Sequence, residues 1–529
     1  MYTLDFSKPV KVYFVGIGGI SMSGLAVILK RAGFDVSGSD RDRSEVTDNL
    51  EREGIKVFYG QKSENVTADI DVAILTAAIR PDNPEYKQIE ALNIPKLTRA
   101  ELLGQLMRNY GTSIAISGTH GKTTTTSMIS EILLAEDADP TISVGGMLPS
   151  IGGNIRVGGR DYFVTEACEY TNSFLSLFPD IALILNVEED HLDFFKDLDD
   201  IRASFRKFAD LVPENGTLII NSHIENIRYF TEGLKCKVLT FGLTENGSLS
   251  SGASSAEKTC TSEYAVNATP SAASDTSEFA VNATPSAASD ASESEIAKTG
   301  IAASDMVRDA SEKTAPDYTA ANITKDALGN PTFDVIVNGE KAFTVSLSVP
   351  GDHNILNALA ACAFADAAGI DRTVTAAALE KFEGTDRRFQ KKGKIAGGVT
   401  LIDDYAHHPT EIRATMKAAL SIEKKTLWVV FQPHTYTRTK AFFDDFADAL
   451  SLADKVVLAD IYAARETDTL GISSKLLAEA LAERGTESYY FPSFEEIEKF
   501  LLKNCQEGDV LITMGAGDVY KIGDSLLGR

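Results

Sequence analysis

No apolar run in this 529-residue chain approaches the ~20 residues that cross a bilayer as a helix. Ile181-Ala-Leu-Ile-Leu185, among the longest, has the length of a strand. The start, Met1 to Lys8, has no basic stretch leading into an apolar one, so no secretory signal is expected. Cysteine is scarce: five residues, at 168, 236, 260, 362 and 505, show no CxxC spacing and cannot all pair. A reduced, cytoplasmic protein is the expectation. Positive charge is also short. Lys and Arg number 51 against 76 Asp and Glu, a net charge of −25, with no Lys/Arg-rich stripe. That argues against a nucleic-acid partner. It leaves open a nucleotide held by backbone N–H groups and single cations.

What is present is an alternation of strand and helix patterns with one interruption. From about 245 to 320 the chain is rich in Ala, Ser, Thr, Asp and Glu. It carries a tandem repeat of fifteen residues, Thr261–Asp275 and then Thr276–Asp290, with Phe279 replacing Tyr264. Its apolar content is too low to offset chain entropy, so a disordered insertion in a surface loop is expected. Around it, Val10–Val15 reads as a strand, followed by a helix from Met22 to Arg31 and a strand from Phe34 to Ser39. Ser113–Ser117 starts a second unit, in which Asn338-Gly339 between two apolar runs predicts a type I′ hairpin. Strands near 399–403, 426–431, 455–460, 488–491 and 509–514 form a third. The alternation predicts an α/β protein of doubly wound, mostly parallel sheets. Three domains follow, at 1–111, 112–383 and 384–529.

Chemistry concentrates at predicted strand ends. Ser117-Gly-Thr-His-Gly-Lys-Thr-Thr124 lies between a strand and a helix. Gly118 and Gly121 let the loop curl its N–H groups toward phosphate, Lys122 would reach the β/γ-phosphates, and Thr123 would meet Mg²⁺. The full Walker pattern is incomplete, since Ile116 stands where it has its first glycine. Glu166 and Glu169, and then Asn186-Val-Glu-Glu-Asp-His191, also close strands of this unit. His191 is an unusual Mg²⁺ ligand and could serve structurally, while Asp190 and Asp193 could be helix-capping acids. Near the N-terminus, Gly16-Ile-Gly-Gly19 is a partial dinucleotide fingerprint with Ser21 in place of its third glycine, and Asp40 falls where a ribose-binding acid would. A ligand-free turn and NAD binding remain alternatives there. In the third unit, Asp403-Asp-Tyr-Ala-His-His-Pro-Thr-Glu411, His434–Thr439 and Gly515–Asp518 load three strand ends with polar groups. A binding crevice is expected where they meet.

These motifs, with Gly351-Asp-His-Asn-Ile-Leu-Asn357 and Arg387-Arg-Phe389, occur in the order found in the Mur ligases, which the chain resembles over all but the 245–320 stretch. The resemblance implies a Rossmann-like N-terminal domain, a central P-loop ATPase-like domain and a Rossmann-like C-terminal domain. It implies an ATP- and Mg²⁺-dependent ligase that joins L-alanine to UDP-N-acetylmuramate in cytoplasmic peptidoglycan precursor synthesis. On that basis Lys122, Glu166 and His191 are catalytic, and Thr123, Glu166 and His191 serve the metal. Gly118, Thr119, His120, Gly121, Lys122, Thr123 and Thr124 hold the ATP phosphates. Asn354 and Asn357 lie on its adenine side, and Arg388 and Asp404 reach it from the third domain. Gly16, Gly18, Gly19 and Asp40 would bind the UDP-sugar; Tyr405, His407 and Arg438 would line the alanine site. Thr435 departs from the pattern, standing where many members have arginine.

Overall fold

Short β-rich runs buried on both faces, each followed by a helical pattern, leave a parallel sheet as the way to satisfy every backbone group. The computed structural model describes residues 2–76, 79–192, 194–244, 315–464 and 466–529, and it contains three such sheets. The first is five parallel strands in the spatial order Lys56–Tyr59, Asp35–Asp40, Lys11–Val15, Val72–Leu75, Lys96–Thr98. Connections leave Lys11–Val15 toward one edge and return to Val72–Leu75 on its other side, which opens a crevice above the C-terminal end of Lys11–Val15. The helix after that strand runs Ile20–Arg31, beginning two residues earlier than Met22, because Gly19 in extended conformation already serves as its N-cap.

The central sheet has ten strands. Its parallel interior includes, in order, Thr217–Asn221, Ile181–Ile184, Thr112–Ser117 and Tyr162–Glu166. Hairpins close both margins. Asn338 (φ 51°) and Gly339 (φ 85°) make the expected two-residue turn between Pro331–Val337 and Glu340–Ser346. Helices Lys122–Ala135 and Asp352–Ala368 cover one face, Met128, Ile132 and Leu133 packing in one core with Leu359 and Phe364. The other face shares its core with the first sheet's helices: Leu102 and Leu106 join Phe163, Ile184 and Phe205 in one apolar cluster. The third sheet runs Gln390–Ile395, Val399–Asp404, Val510–Met514, Leu427–Phe431, Lys455–Leu458, Glu487–Tyr490, with only Gln390–Ile395 antiparallel.

The insertion expected at 245–320 lies mostly outside the described residues, as does Asp193. Its final residues do not belong to it. Tyr318–Lys325 is a strand, with Tyr318 buried and its hydroxyl 3.0 Å from Asp366 Oδ2. The polar composition of this stretch hid a burial pattern that starts at Tyr318. Immediately before it, Asp317 Oδ2 accepts hydrogen bonds from the Thr240 N–H (2.7 Å) and hydroxyl (2.8 Å), clasping the two ends of the excursion. Among the described residues, no helix is long and apolar enough to cross a membrane.

Candidate active site

The loop after Thr112–Ser117 is shaped by its glycines. A Cβ on Gly118 (φ 146°) would lie 2.9 Å from Leu185 Cβ, and one on Gly121 (φ 85°) 2.7 Å from Asn357 Oδ1. The neighbouring strand end stitches the loop in place. The His120 N–H donates to Asn186 Oδ1 at 2.7 Å, Asn186 Nδ2 donates to the His120 carbonyl at 3.0 Å, and the Glu188 N–H donates to Thr119 Oγ1 at 2.9 Å. Lys122 folds back over the loop, donating to the carbonyls of Gly118 (2.5 Å) and Thr119 (3.1 Å) and pairing with Glu169 at 2.9 Å. Burial opposes its charge, but Glu169 outweighs that and raises the ammonium pKa, so Lys122 stays protonated.

Thr123 and Glu166 share one side of this loop. Glu166 Oε1 accepts from the Gly145 N–H at 2.5 Å, and a Cβ on the adjacent Gly146 would meet Thr123 Cγ2 at 3.2 Å. Thr123 and Glu166, both beside the Gly145–Gly146 backbone, supply a hydroxyl and a carboxylate, hard oxygen donors of the kind that suit Mg²⁺ completed by water and phosphate. No cluster of three or more His, Cys, Asp or Glu arranged as a complete metal cage occurs among the described residues. His191 stands nearby in a left-handed backbone conformation (φ 53°), its Nε2 3.9 Å from Glu169 and 3.8 Å from Asp190. Burial lowers its pKa below the ordinary value despite those acids, which favours the neutral imidazole a metal requires.

A cavity of about 750 Å³ opens beside the loop, lined by His120, Gly121 and Thr124 of the central unit. Asn354 and Asn357, one turn apart on the helix Asp352–Ala368, form its wall and are joined by a 3.1 Å hydrogen bond. Arg388 and Asp404 reach it from the third sheet. Asp404 accepts from the N–H groups of Phe389 (2.8 Å) and Ala406 (2.7 Å), and burial pushes its carboxyl up to about 6. The volume is that of a nucleotide-sized pocket. Gly16, Gly18, Gly19 and Asp40 are not part of it. They form their own loop above the first sheet, where Asp40 Oδ2 accepts from the Gly18 N–H at 2.7 Å.

Family models match strands in each of these sheets. The Mur ligase catalytic-domain model matches residues 11–111, the middle-domain model 116–284 and the glutamate ligase domain model 387–517. A protein of Lachnospira eligens named UDP-N-acetylmuramate–L-alanine ligase is 52% identical over all of both chains. The chain belongs to the Mur ligase family. A second relative of the same name, from Agathobacter rectalis, is 50% identical over the full length of both. The solved UDP-N-acetylmuramate-alanine ligase of Thermotoga maritima superposes with a TM-score of 0.71 at 27% identity, covering 98% of each chain.

In this Mur ligase the third sheet is bolted to the phosphate loop by residues whose roles local sequence does not reveal. Glu411 Oε1 lies 3.3 Å from His120 Nδ1 and 3.7 Å from Arg388, and Glu188 accepts from the Thr410 hydroxyl at 3.0 Å. Burial disfavours the His120 charge, but Glu188 and Glu411 together hold its pKa up at about 9. Arg438 does not stand alone, as a carboxylate-binding residue read from its motif would. Its Nη2 pairs with Asp190 at 2.9 Å, and its Nη1 lies 3.4 Å from His434 Nδ1. His407 packs edge-on to His434 (5.9 Å) and to Tyr405 (5.5 Å), so the three residues expected around alanine do share one neighbourhood. Tyr405 also lies under Arg387 at 4.9 Å. Glu169 and Glu411 are the principal residues not assigned from sequence. Both sit inside motifs rich in acids, and only the partner across the crevice distinguishes them. Thr435, in place of arginine, caps the helix Tyr436–Ala441, its hydroxyl 3.5 Å from the Arg438 N–H.

Proposed function

We propose that this ligase condenses the lactyl carboxylate of UDP-N-acetylmuramate with the amino group of L-alanine, converting ATP to ADP and phosphate. The observation that carries the reading is that Lys122 of the phosphate loop and Arg438 of the third unit pair with Glu169 and Asp190, the two acids that flank His191, in a chain half-identical over its whole length to relatives named for this reaction. The residues divide by substrate: 1–111 hold the UDP-sugar, 112–383 the ATP, and 384–529 the amino acid.

A carboxylate does not react with an amine until one oxygen becomes a good leaving group. The lactyl carboxylate oxygen attacks the γ-phosphorus of ATP, the bond to the ADP oxygen breaks, and an acyl phosphate forms. Lys122 neutralises charge on the transferring group, and the N–H groups of the 118–122 loop orient the phosphates. Thr123, Glu166 and His191 would hold Mg²⁺, which would supply further charge neutralisation when bound. The alanine nitrogen then attacks the acyl carbon, loses a proton, and inorganic phosphate departs. Arg438 fixes the alanine carboxylate, while Tyr405 and His407 wall the site. Asn354, Asn357, Arg388 and Asp404 position ATP, and Gly16, Gly18, Gly19 and Asp40 contact the uridine diphosphate.

Phosphate release from ATP and Mg²⁺ tests the reading directly. It should require UDP-N-acetylmuramate and L-alanine together. Release only with a tripeptide acceptor would make the protein a recycling ligase, and release with neither would remove the assignment.

A further inference from the structure

The lactyl group is joined to its pyranose by a single ether link. A carboxylate presented beside Lys122 and His191 therefore brings the sugar ring against whatever surrounds His191. There the chain exposes an apolar patch: Tyr170 is 39% exposed, Leu192 40% and Phe194 43%. The Tyr170 ring stacks on the His191 imidazole, with centroids 4.5 Å apart and planes at 30°. Phe194 meets Tyr170 edge-on at 6.2 Å and rests on the buried Phe195 at 4.9 Å.

The backbone holds this patch in place at some cost. Thr171 (φ 54°) and Asn172 (φ 57°) are consecutive left-handed residues, a conformation that β-branched threonine strongly avoids. The Asn172 N–H donates to the Glu169 carbonyl at 2.9 Å, and the Ser204 hydroxyl donates to Asn172 Oδ1. Glu169, the residue before Tyr170, is the one that holds Lys122. The 3₁₀ segment Tyr170–Ser176 also marks the seam with the first sheet's unit. A Cβ on Gly104 of the helix Arg99–Met107 would fall 1.9 Å from the Ser176 carbonyl oxygen.

We propose that Tyr170, backed by Phe194, is the platform on which the pyranose ring of the sugar nucleotide lies, its apolar C–H face against the aromatic ring, which sets the carboxylate beside His191. This rests on the sugar-nucleotide assignment above. Strained backbone that holds an exposed aromatic next to a reacting centre is a recurrent binding-site device.

Calorimetric titration of the full chain with UDP-N-acetylmuramate and with UDP alone separates the contributions. Tyr170→Ala should weaken the sugar nucleotide about 3- to 10-fold and UDP by less than about twofold, with Tyr170→Phe near wild type. Phe194→Ala, at the outer side of the patch, should shift affinity in the same direction. In turnover, KM for the sugar nucleotide should rise with KM for ATP and alanine unchanged. Equal losses for UDP and the sugar nucleotide would overturn the platform. So would a fall in kcat at unchanged sugar-nucleotide affinity, which would make Tyr170 a brace for His191. A wild-type chain that binds ATP but not UDP-N-acetylmuramate would fail earlier, removing the substrate assignment itself.

Discussion

Two kinds of buried charge govern behaviour at the scale of the residue. Lys122 and Glu169 satisfy each other with side chains 16% and 3% exposed. Lys122→Ala is expected to lower turnover at least about 10³-fold, because it removes the cation at the transferring phosphoryl group. It should also destabilise by about 3–5 kcal/mol, since Glu169 is left buried without its partner. Adding Glu169→Ala should restore much of the melting temperature and none of the turnover, a combination that thermal unfolding and phosphate release check together. The histidines give a signed pH dependence. The His120 pKa rises to about 9 from 6.5, so its contribution is complete below pH 6.5 and fades as pH climbs through 9. Burial brings His353, His407, His408 and His434 each down to about 4. Their contribution is complete above pH 6.5 and is lost as pH falls toward 4. Melting temperature should therefore peak near pH 6.5. His120→Gln should flatten only the alkaline side, and a drop unchanged by that substitution would refute the role given to His120.

At the scale of the element, the segment after Ile181–Ile184 does most to assemble the site. Asn186 and Glu188 stitch the phosphate loop, Glu188 takes the Thr410 hydroxyl, and Asp190 takes Arg438. A double-mutant cycle of Asp190→Ala and Arg438→Ala should give a coupling of about 1–3 kcal/mol. A coupling near zero would mean the two units dock without this pair. In kinetics, Arg438→Ala should raise KM for alanine far more than KM for ATP. The elements that bear these groups were readable from sequence because their signals are local. Glycines beside a Lys-Thr pair, Pro409 opening a helix and Asn338-Gly339 at a turn act over a few residues. Glu169, Glu411 and the Asp190–Arg438 pair were not, because their meaning lies in partners 47, 291 and 248 positions away. Tyr318–Lys325 escaped for a related reason: its partners are remote in sequence, Phe241 across the acidic repeats and Asp366 48 residues further on.

At the scale of the molecule, three sheets contribute one loop region each to the proposed reaction, and their relative positions decide activity more than any single contact. The Thr240–Asp317 clasp joins the two described ends of the excursion that carries the acidic repeats. Replacing 245–314 by an eight-residue Gly/Ser linker is expected to leave kcat within about twofold and to relieve about 2 kcal/mol of loop-closure entropy. A lower melting temperature would show that the segment contributes packing. Because the clasp brings chain entry and exit together at a sheet strand, this position is an attachment point for foreign sequence. A fluorescent domain or affinity handle could be spliced there at little cost in loop closure, and related chains could vary in length at this point while keeping the same catalytic frame.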